Sequence, residues 1–309
     1  MIAVPVEQWG LRVPKARGEE MRRSLIESGR LDRRLRPRTE GDMLVLPVTE
    51  PMDGATWETF EALPEQPELP RHEQVGGIAL MEEEDRDGAR QLLRLRPSLH
   101  TVLLPLSDVE GEYRTRRFEV LAGIPTTSTR YAEYGHRFDI DLALAYFSAR
   151  LSNERQRILA QITSGERVLD MFAGVGPFAI VLSTRAERVT AVDINPAAIH
   201  LMIENMRLNR RTNILPVLAD AARLASILDR PFDRIVMNLP LAAPRFLDTA
   251  FRLCREGGAI HFYVLQSEEG AFRSLIKEHG GVVEAERMVR SYSPARWHAV
   301  YDIRVKKVI

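Results

Sequence analysis

Apolar and polar positions change their period along this chain. In the second half, short apolar runs at 167–171, 188–193, 214–219, 233–238 and 258–265 alternate with stretches of helical spacing near 176–184, 196–208, 244–254 and 268–279. Near-continuous apolar runs of this length read as strands covered on both faces, and apolar residues three and four apart read as amphipathic helices. Such alternation implies an α/β fold with a doubly wound parallel sheet and right-handed crossovers. After the last helix the pattern changes. VEAERMVRSY and HAVYDIRVKK, joined by SPARW, read as two strands without a helix between them, hence an antiparallel pair at the sheet's end. Just upstream of the alternating region, SNERQRILAQI (152–162) reads as a helix that turns Ile158, Leu159 and Ile162 inward, with Glu154 and Arg155 in its first turn.

The first half is less regular. GEEMRRSLIESGRL carries Met21, Leu25 and Ile26 at helical spacing and DMLVLPV reads as a strand, which makes a small α+β unit of residues 1–55. Residues 50–75 are rich in Pro and Glu with little periodicity and read as a connector. From 68 to 150 the pattern is again α+β, with an acidic turn, a helix through Ala89 to Leu95, the strand TVLLPL and strands continuing through RFDIDLALAYF. The expected organisation is therefore two small α+β domains, 1–55 and 68–150, ahead of an α/β domain at 151–309.

Charge narrows the partners only locally. Lys plus Arg and Asp plus Glu both number 43, so there is no global attraction to a polyanion, and any nucleic-acid contact must come from patches. RLDRRLRPR holds five arginines between Arg30 and Arg38 and suits either a solvated loop or phosphate oxygens. Arg114, Arg116 and Arg117 alternate with Tyr113 and Phe118, which fits an exposed strand edge or an RNA-facing patch. The single Cys254 excludes a disulfide framework and a cysteine-based zinc site, and the seven histidines lack ligand spacing, so no metal is expected. No apolar stretch reaches the roughly 18 residues that span a bilayer, and the N-terminus shows no signal-like core. A cytoplasmic protein is the expectation.

Candidate chemistry begins at residues 167–196, where a run ending in Asp170 meets Gly174-Val175-Gly176-Pro177 and a second run ends in Asp193. Strand, glycine turn, helix and acid-tipped strand make the usual cradle for an adenosine-containing cofactor. The turn does not identify the cofactor. GVGPFA also satisfies the relaxed dinucleotide fingerprint, and Asp193 stands about 20 residues on, as an acid that holds an NAD ribose would. An NAD-dependent oxidoreductase is thus an alternative at this point. Pro177 stiffens the helix entry where a pyrophosphate binder needs free N–H donors, Asp220 ends the third strand facing an adenine edge, and Asn238-Leu239-Pro240 ends the fourth. Each also has a plain structural role open to it, as a helix cap for Asp193 and Asp220 and a turn residue for Asn238.

DMFAGVGPFAI, AVDINPAAI, VMNLP with a following RFLD, and SYSPARW resemble the Trm-five family of archaeal and eukaryotic tRNA (guanine-N1)-methyltransferases, which modify guanosine 37 beside the anticodon. YRTRRFEVLAG and YFSARLSNERQR look like that family's substrate-site segments, and residues 11–48 like its N-terminal tRNA-recognition domain; 50–100 match only loosely. The resemblance implies a Rossmann-like class I methyltransferase domain whose sheet ends in an antiparallel hairpin, with S-adenosylmethionine as cofactor and tRNA as partner. A monomer is the expectation, without a motif that speaks to it. The resemblance gives Glu154 the role of general base for guanine N1, Arg114 that of stabilising negative charge on O6, and Asn238 that of positioning the base. Arg155, Phe172, Gly174, Gly176, Asp193, Ile194, Asp220, Ala221 and Asn238 would hold the cofactor. Two departures stand out: Ala149 where the family commonly has Pro, and Leu241 where Lys is common. Relatives in the wyosine pathway, which methylate a tricyclic intermediate or transfer the aminocarboxypropyl group, are the nearest alternatives.

Overall fold

The computed structural model describes residues 5–63, 69–228 and 231–306. Contacts divide the chain into two units, residues 1–68 and 69–309.

In the first unit the elements are β1 (Pro5–Pro14), α1 (Lys15–Glu27), β2 (Leu35–Arg36), β3 (Arg38–Glu40), β4 (Met43–Val48) and β5 (Ala55–Ala62). The strands form one antiparallel sheet in the order β2-β5-β1-β4-β3, with Leu11, Val13, Leu25, Leu46 and Val48 in its core. The expected connector is thereby corrected: residues 55–62 are a strand along the first part of β1, from Pro5 opposite Glu61 to Leu11 opposite Ala55. Its period is two, but the buried side carries Glu58 beside Phe60, and a charged residue in an inward position hides the alternation. Glu58 tolerates burial because Arg12 (2.8 Å) and Arg38 both pair with it. The arginine run is also largely paired. Arg30 meets Glu50 (2.8 Å), Arg34 meets Asp32 (2.7 Å), Arg36 meets Glu61 (3.2 Å) and Arg38 meets Glu40 (2.9 Å). Among the described residues only Arg33 of the five has no carboxylate partner, so the patch carries far less free charge than its sequence suggests.

The second unit runs β6 (His72–Val75), β7 (Ile78–Met81), α2 (Arg86–Leu95), β8 (Thr101–Pro105), β9 (Phe118–Gly123), β10 (Ser128–Glu133), β11 (His136–Asp141) and α3 (Ser152–Gln161). It continues through β12 (Arg167–Asp170), α4 (Pro177–Leu182), β13 (Arg188–Asp193), α5 (Pro196–Leu208), β14 (Ile214–Leu218), α6 (Leu224–Ile227) and β15 (Phe232–Met237). Then come α7 (Leu247–Leu253), β16 (Cys254–Gln266), α8 (Arg273–Glu278), β17 (Gly281–Ser293) and β18 (Arg296–Val305). The large sheet has the order β14-β13-β12-β15-β16-β18-β17. Its first five strands are parallel, and β18 inserts antiparallel between β16 and β17.

Side chains alternate across this sheet as a strand buried on both faces requires. Val168, Val189, Ala191 and Val236 face one core, while Leu169, Val192, Ile235 and Met237 face the other. The first core also holds Val75, Ile78, Leu103, Phe138 and Ile140, so the segment expected as a separate middle domain shares its packing with the sheet that follows. Asn205 of α5 fastens that segment: it accepts from the Asp139 amide (2.6 Å) and donates to the Asp139 and Val175 carbonyls (3.0 and 3.1 Å).

Candidate active site

The turn after β12 depends on glycine at two places. Gly174 (φ 56°) and Gly176 (φ 87°) both lie in the left-handed region, and a Cβ on Gly176 would sit 2.7 Å from Met202 Cγ. Gly176 caps α4 and Pro177 occupies its first position, where a missing N–H costs nothing. Gly174 donates its amide to Asp193 Oδ2 (2.7 Å) and Asn195 donates to Asp193 Oδ1 (2.9 Å), which draws the β13 tip against the turn. The cap of α5 is Asn195, whose Oδ1 accepts from Ala197 (2.9 Å), so Asp193 is not the helix cap. Burial raises the Asp193 carboxyl above its usual range, although the amides of Asn195, Gly174 and Ile194 oppose this. Ile194 is half-buried beside it. Asp220 does act as a cap, accepting from Ala222 (2.9 Å) ahead of the short 3-10 turn Ala221–Arg223, with Ala221 buried. Phe172 packs edge-on against Phe246, 5.1 Å between centroids.

Asp170 is a residue that motif reading passed over. It is fully buried at the end of β12, and neither carboxylate oxygen has a hydrogen-bond partner among the described residues. Burial pushes its carboxyl up to about 7, Asp193 adds to the effect, and the nearby Phe172 and Ala179 amides, outside hydrogen-bonding geometry, offset it only partly. Such a group binds its proton more tightly folded than unfolded. Its contribution to stability is full below pH 3.8 and is lost as pH rises through about 7. Asp170→Asn removes this loss. Urea unfolding of the cofactor-free protein between pH 5 and 8.5 should show the variant gaining on the wild type as pH rises, by up to ~4 kcal/mol. Parallel pH dependences would refute it.

The expected catalytic residues fall in three settings. Glu154, in the first turn of α3, accepts from Arg157 Nε at both oxygens (3.1 and 3.0 Å) and from the Tyr263 hydroxyl at Oε2 (2.9 Å). Carboxylate oxygens offer about four lone pairs, so room remains for a further donor. Arg114 lies in a turn at φ 53°, ahead of β9 rather than within a strand, and its guanidinium sits 5.8 Å from the Tyr146 ring. No hydrogen bond or ion pair reaches that guanidinium among the described residues; burial holds its pKa below the usual arginine range, while Tyr146 and Tyr292 oppose the shift. Asn238, one residue after β15, is half-buried, and among the described residues its side chain makes no hydrogen bond. The Tyr146 carbonyl lies 3.5 Å from where a Cβ on Gly174 would stand, so this residue touches both the arginine and the glycine turn.

Arg155 is placed differently. Its side chain is buried with only 1% exposed, donates Nε to Glu133 Oε1 (2.6 Å), and lies 5.8 Å from the rings of Phe147 and Phe178. Motif reading missed Glu133 altogether, along with Arg157, Tyr263 and Asp302. Arg157 had a signal, since it stands three residues after Glu154 on one helix face. Asp302 had a weaker one, an acid flanked by the apolar run Ala299–Tyr301 and Ile303.

Three carboxylates, Asp170, Asp193 and Asp220, at or just beyond the ends of β12, β13 and β14, suit a cationic, ribose-bearing cofactor. Two of the acids are committed to holding the turn and a 3-10 start through one or both oxygens, which fixes their orientation. Asp170 keeps both oxygens without a partner among the described residues. Among the described residues no group of His, Cys, Asp and Glu has the arrangement of a metal site, and no helix is long and apolar enough to cross a membrane.

Residues 129–287 match the family model of the TRM5/TYW2 methyltransferase domain, and residues 10–56 that of the tRNA methyltransferase 5 N-terminal domain. The tRNA (guanine(37)-N(1))-methyltransferase Trm5b of Pyrococcus abyssi is 37% identical over 330 residues, covering 96% of this chain and 98% of that protein. Its crystal structure superposes with a TM-score of 0.76 at 34% identity, covering 97% of this chain and 100% of that one. The tRNA(Phe) (4-demethylwyosine(37)-C(7)) aminocarboxypropyltransferase of Methanocaldococcus jannaschii is 30% identical over 250 residues, 77% of this chain and 99% of that protein.

Proposed function

The chain belongs to the TRM5/TYW2 methyltransferase family, and on that premise we propose that it transfers a methyl group from S-adenosylmethionine to N1 of guanosine 37 in tRNA. Its α/β fold is the Rossmann-like class I one, with the terminal hairpin, preceded by the N-terminal family domain. The observation that carries the reading is the extent of the likeness: a guanosine-37 methyltransferase matches across 96% of this chain, N-terminal domain included, whereas the aminocarboxypropyltransferase matches across 77%. Family membership leaves no ground for an NAD-dependent oxidoreductase.

The sulfonium cofactor supplies an electrophilic methyl group, and this chain's residues prepare the nucleophile. Guanine N1 carries a proton and attacks poorly until it is removed. Glu154 takes that proton as the N1–C bond forms, and Arg114, with no anion paired to it among the described residues, meets the charge that moves onto O6. Asn238, whose side chain has no partner among the described residues, can offer donors and an acceptor to the edge of the base. Asp193, Ile194, Asp220 and Ala221, with Phe172, Gly174 and Gly176, form the cofactor side, and the buried Asp170, its carboxyl pushed up to about 7, becomes a counter-charge when a bound cation favours its ionised form.

Labelled S-adenosylmethionine and unmodified tRNA test this. Label should enter tRNA carrying guanosine 37 and be lost when that base is replaced, with 1-methylguanosine as the product by mass. Equal labelling of the replaced tRNA, or a product carrying the aminocarboxypropyl group, would overturn it.

A further inference from the structure

Behind Glu154 the charged groups form one continuous line. Arg157, which holds Glu154 through Nε and lies within 3.0 Å of its Oε2 with Nη2, also reaches Asp302 of β18, Nη1 to Oδ2 at 2.5 Å and Nη2 to Oδ1 at 3.1 Å. Asp302 Oδ1 lies 2.6 Å from His261 Nδ1, and His261 Nε2 lies 2.8 Å from Arg234 Nη1. Arg234 ends the line on Glu166, with Nε to Oε2 at 2.8 Å and Nη2 to Oε1 at 3.1 Å. An arginine only donates, so His261 Nε2 must accept and Nδ1 must carry the proton to Asp302. Burial keeps His261 neutral, and Asp302, although buried, is held below the usual carboxylate range by the bonds from His261 and Arg157. The line therefore alternates in sign from Glu154 to Glu166 and carries one negative charge in excess. A proton accepted by Glu154 cancels that excess.

Resting on the reading of Glu154 as the base, we propose that Arg157 positions its carboxylate and that Asp302, by sharing the guanidinium, keeps Glu154 a good proton acceptor, with the Tyr263 hydroxyl acting in the opposite sense. An arginine paired with Glu154 alone would stabilise the anion and blunt it as a base. Asp302 competes for the same guanidinium from the far side. Tyr263, fully buried on β16, donates to Oε2 and favours the anion. The charged and titratable groups bearing on Glu154 are thus Arg157 on its own helix, Tyr263 and His261 on β16, Asp302 on β18, and Arg234 with Glu166 behind them. All but Tyr263 and Arg157 act through Arg157, which makes them positioning residues.

The single-turnover rate of methyl transfer, followed against pH in the full-length enzyme with tRNA, separates this from a purely structural role. Tyr263→Phe keeps the ring against Phe178 and removes one donor to the carboxylate. Its acid limb should move about one pH unit upward. Asp302→Asn leaves Arg157 to Glu154 alone, so the limb should move about one unit downward and the plateau rate should fall about tenfold. Opposite displacements, with the KM for tRNA unchanged, support the proposal. Loss of stability with both limbs in place, or displacement of both in one direction, would overturn it. Tyr263→Phe carries the decision if Asp302→Asn fails to fold. If Glu154→Gln itself leaves turnover intact, the base assignment fails first; if Glu154→Gln is inactive and the limbs stay put, only the present proposal falls.

Discussion

Glu154→Gln is expected to lower the turnover number about 10²- to 10⁴-fold, the usual contribution of a general base, while S-adenosylmethionine binds with its affinity unchanged. Glutamine has nearly the shape of glutamate and keeps an oxygen for Arg157 or Tyr263, so the helix turn should stay as it is. What it cannot do is accept the guanine N1 proton. Arg157 retains Asp302 as a partner in the variant, so no buried cation is stranded and the melting temperature should move little. Cofactor affinity by calorimetry and methyl transfer under single-turnover conditions separate the two steps. A variant with normal transfer would remove Glu154 from the mechanism; one that loses cofactor binding would place it on the cofactor side instead.

Much of the fold was legible because it rests on period. Strands covered on both faces and helices with one apolar face write themselves as runs and stripes, and the parallel strands of the large sheet lie within a few residues of where those runs place them. Where the pattern failed, a polar residue sat in an inward position. Glu58 hid β5 because its compensating arginines, Arg12 and Arg38, are distant in sequence. The short helical turns at Ala221–Ile227 escaped as well, being too brief to show a period. At the site, the glycine turn and Asp193 could be read because backbone conformation demands those residue types locally. The supporting network could not: Arg157 and Asp302 are 145 residues apart, and nothing in either segment names the other. Arg30, Arg36 and Arg38 show the same limit, since Glu50, Glu61 and Glu58 lie on other strands or loops of the unit. Residue type tells what chemistry is possible, while pairing across the fold decides which charges are left over to do it.

That distinction bears most on Arg155, where a likeness of motif and the observed contacts lead to different experiments. Arg155→Met should destabilise the protein by about 3–5 kcal/mol, because it leaves the Glu133 carboxylate buried without a partner. Replacing both residues by apolar ones of similar volume, Arg155→Met with Glu133→Leu, should recover most of that loss, since the double change removes two desolvated charges together. The recovered variant then isolates the guanidinium's role. Its donors already go to Glu133 and to the Ser148 carbonyl, both Nη atoms reaching the latter at 3.4 Å. With all three nitrogens of this buried side chain already held by Glu133 and Ser148, cofactor affinity in the stable double variant should stay within a few-fold of wild type. A loss of tenfold or more, about 1.4 kcal/mol, in a protein whose urea unfolding is restored would instead assign the Arg155 side chain to the cofactor and require the Glu133 pair to open when it binds.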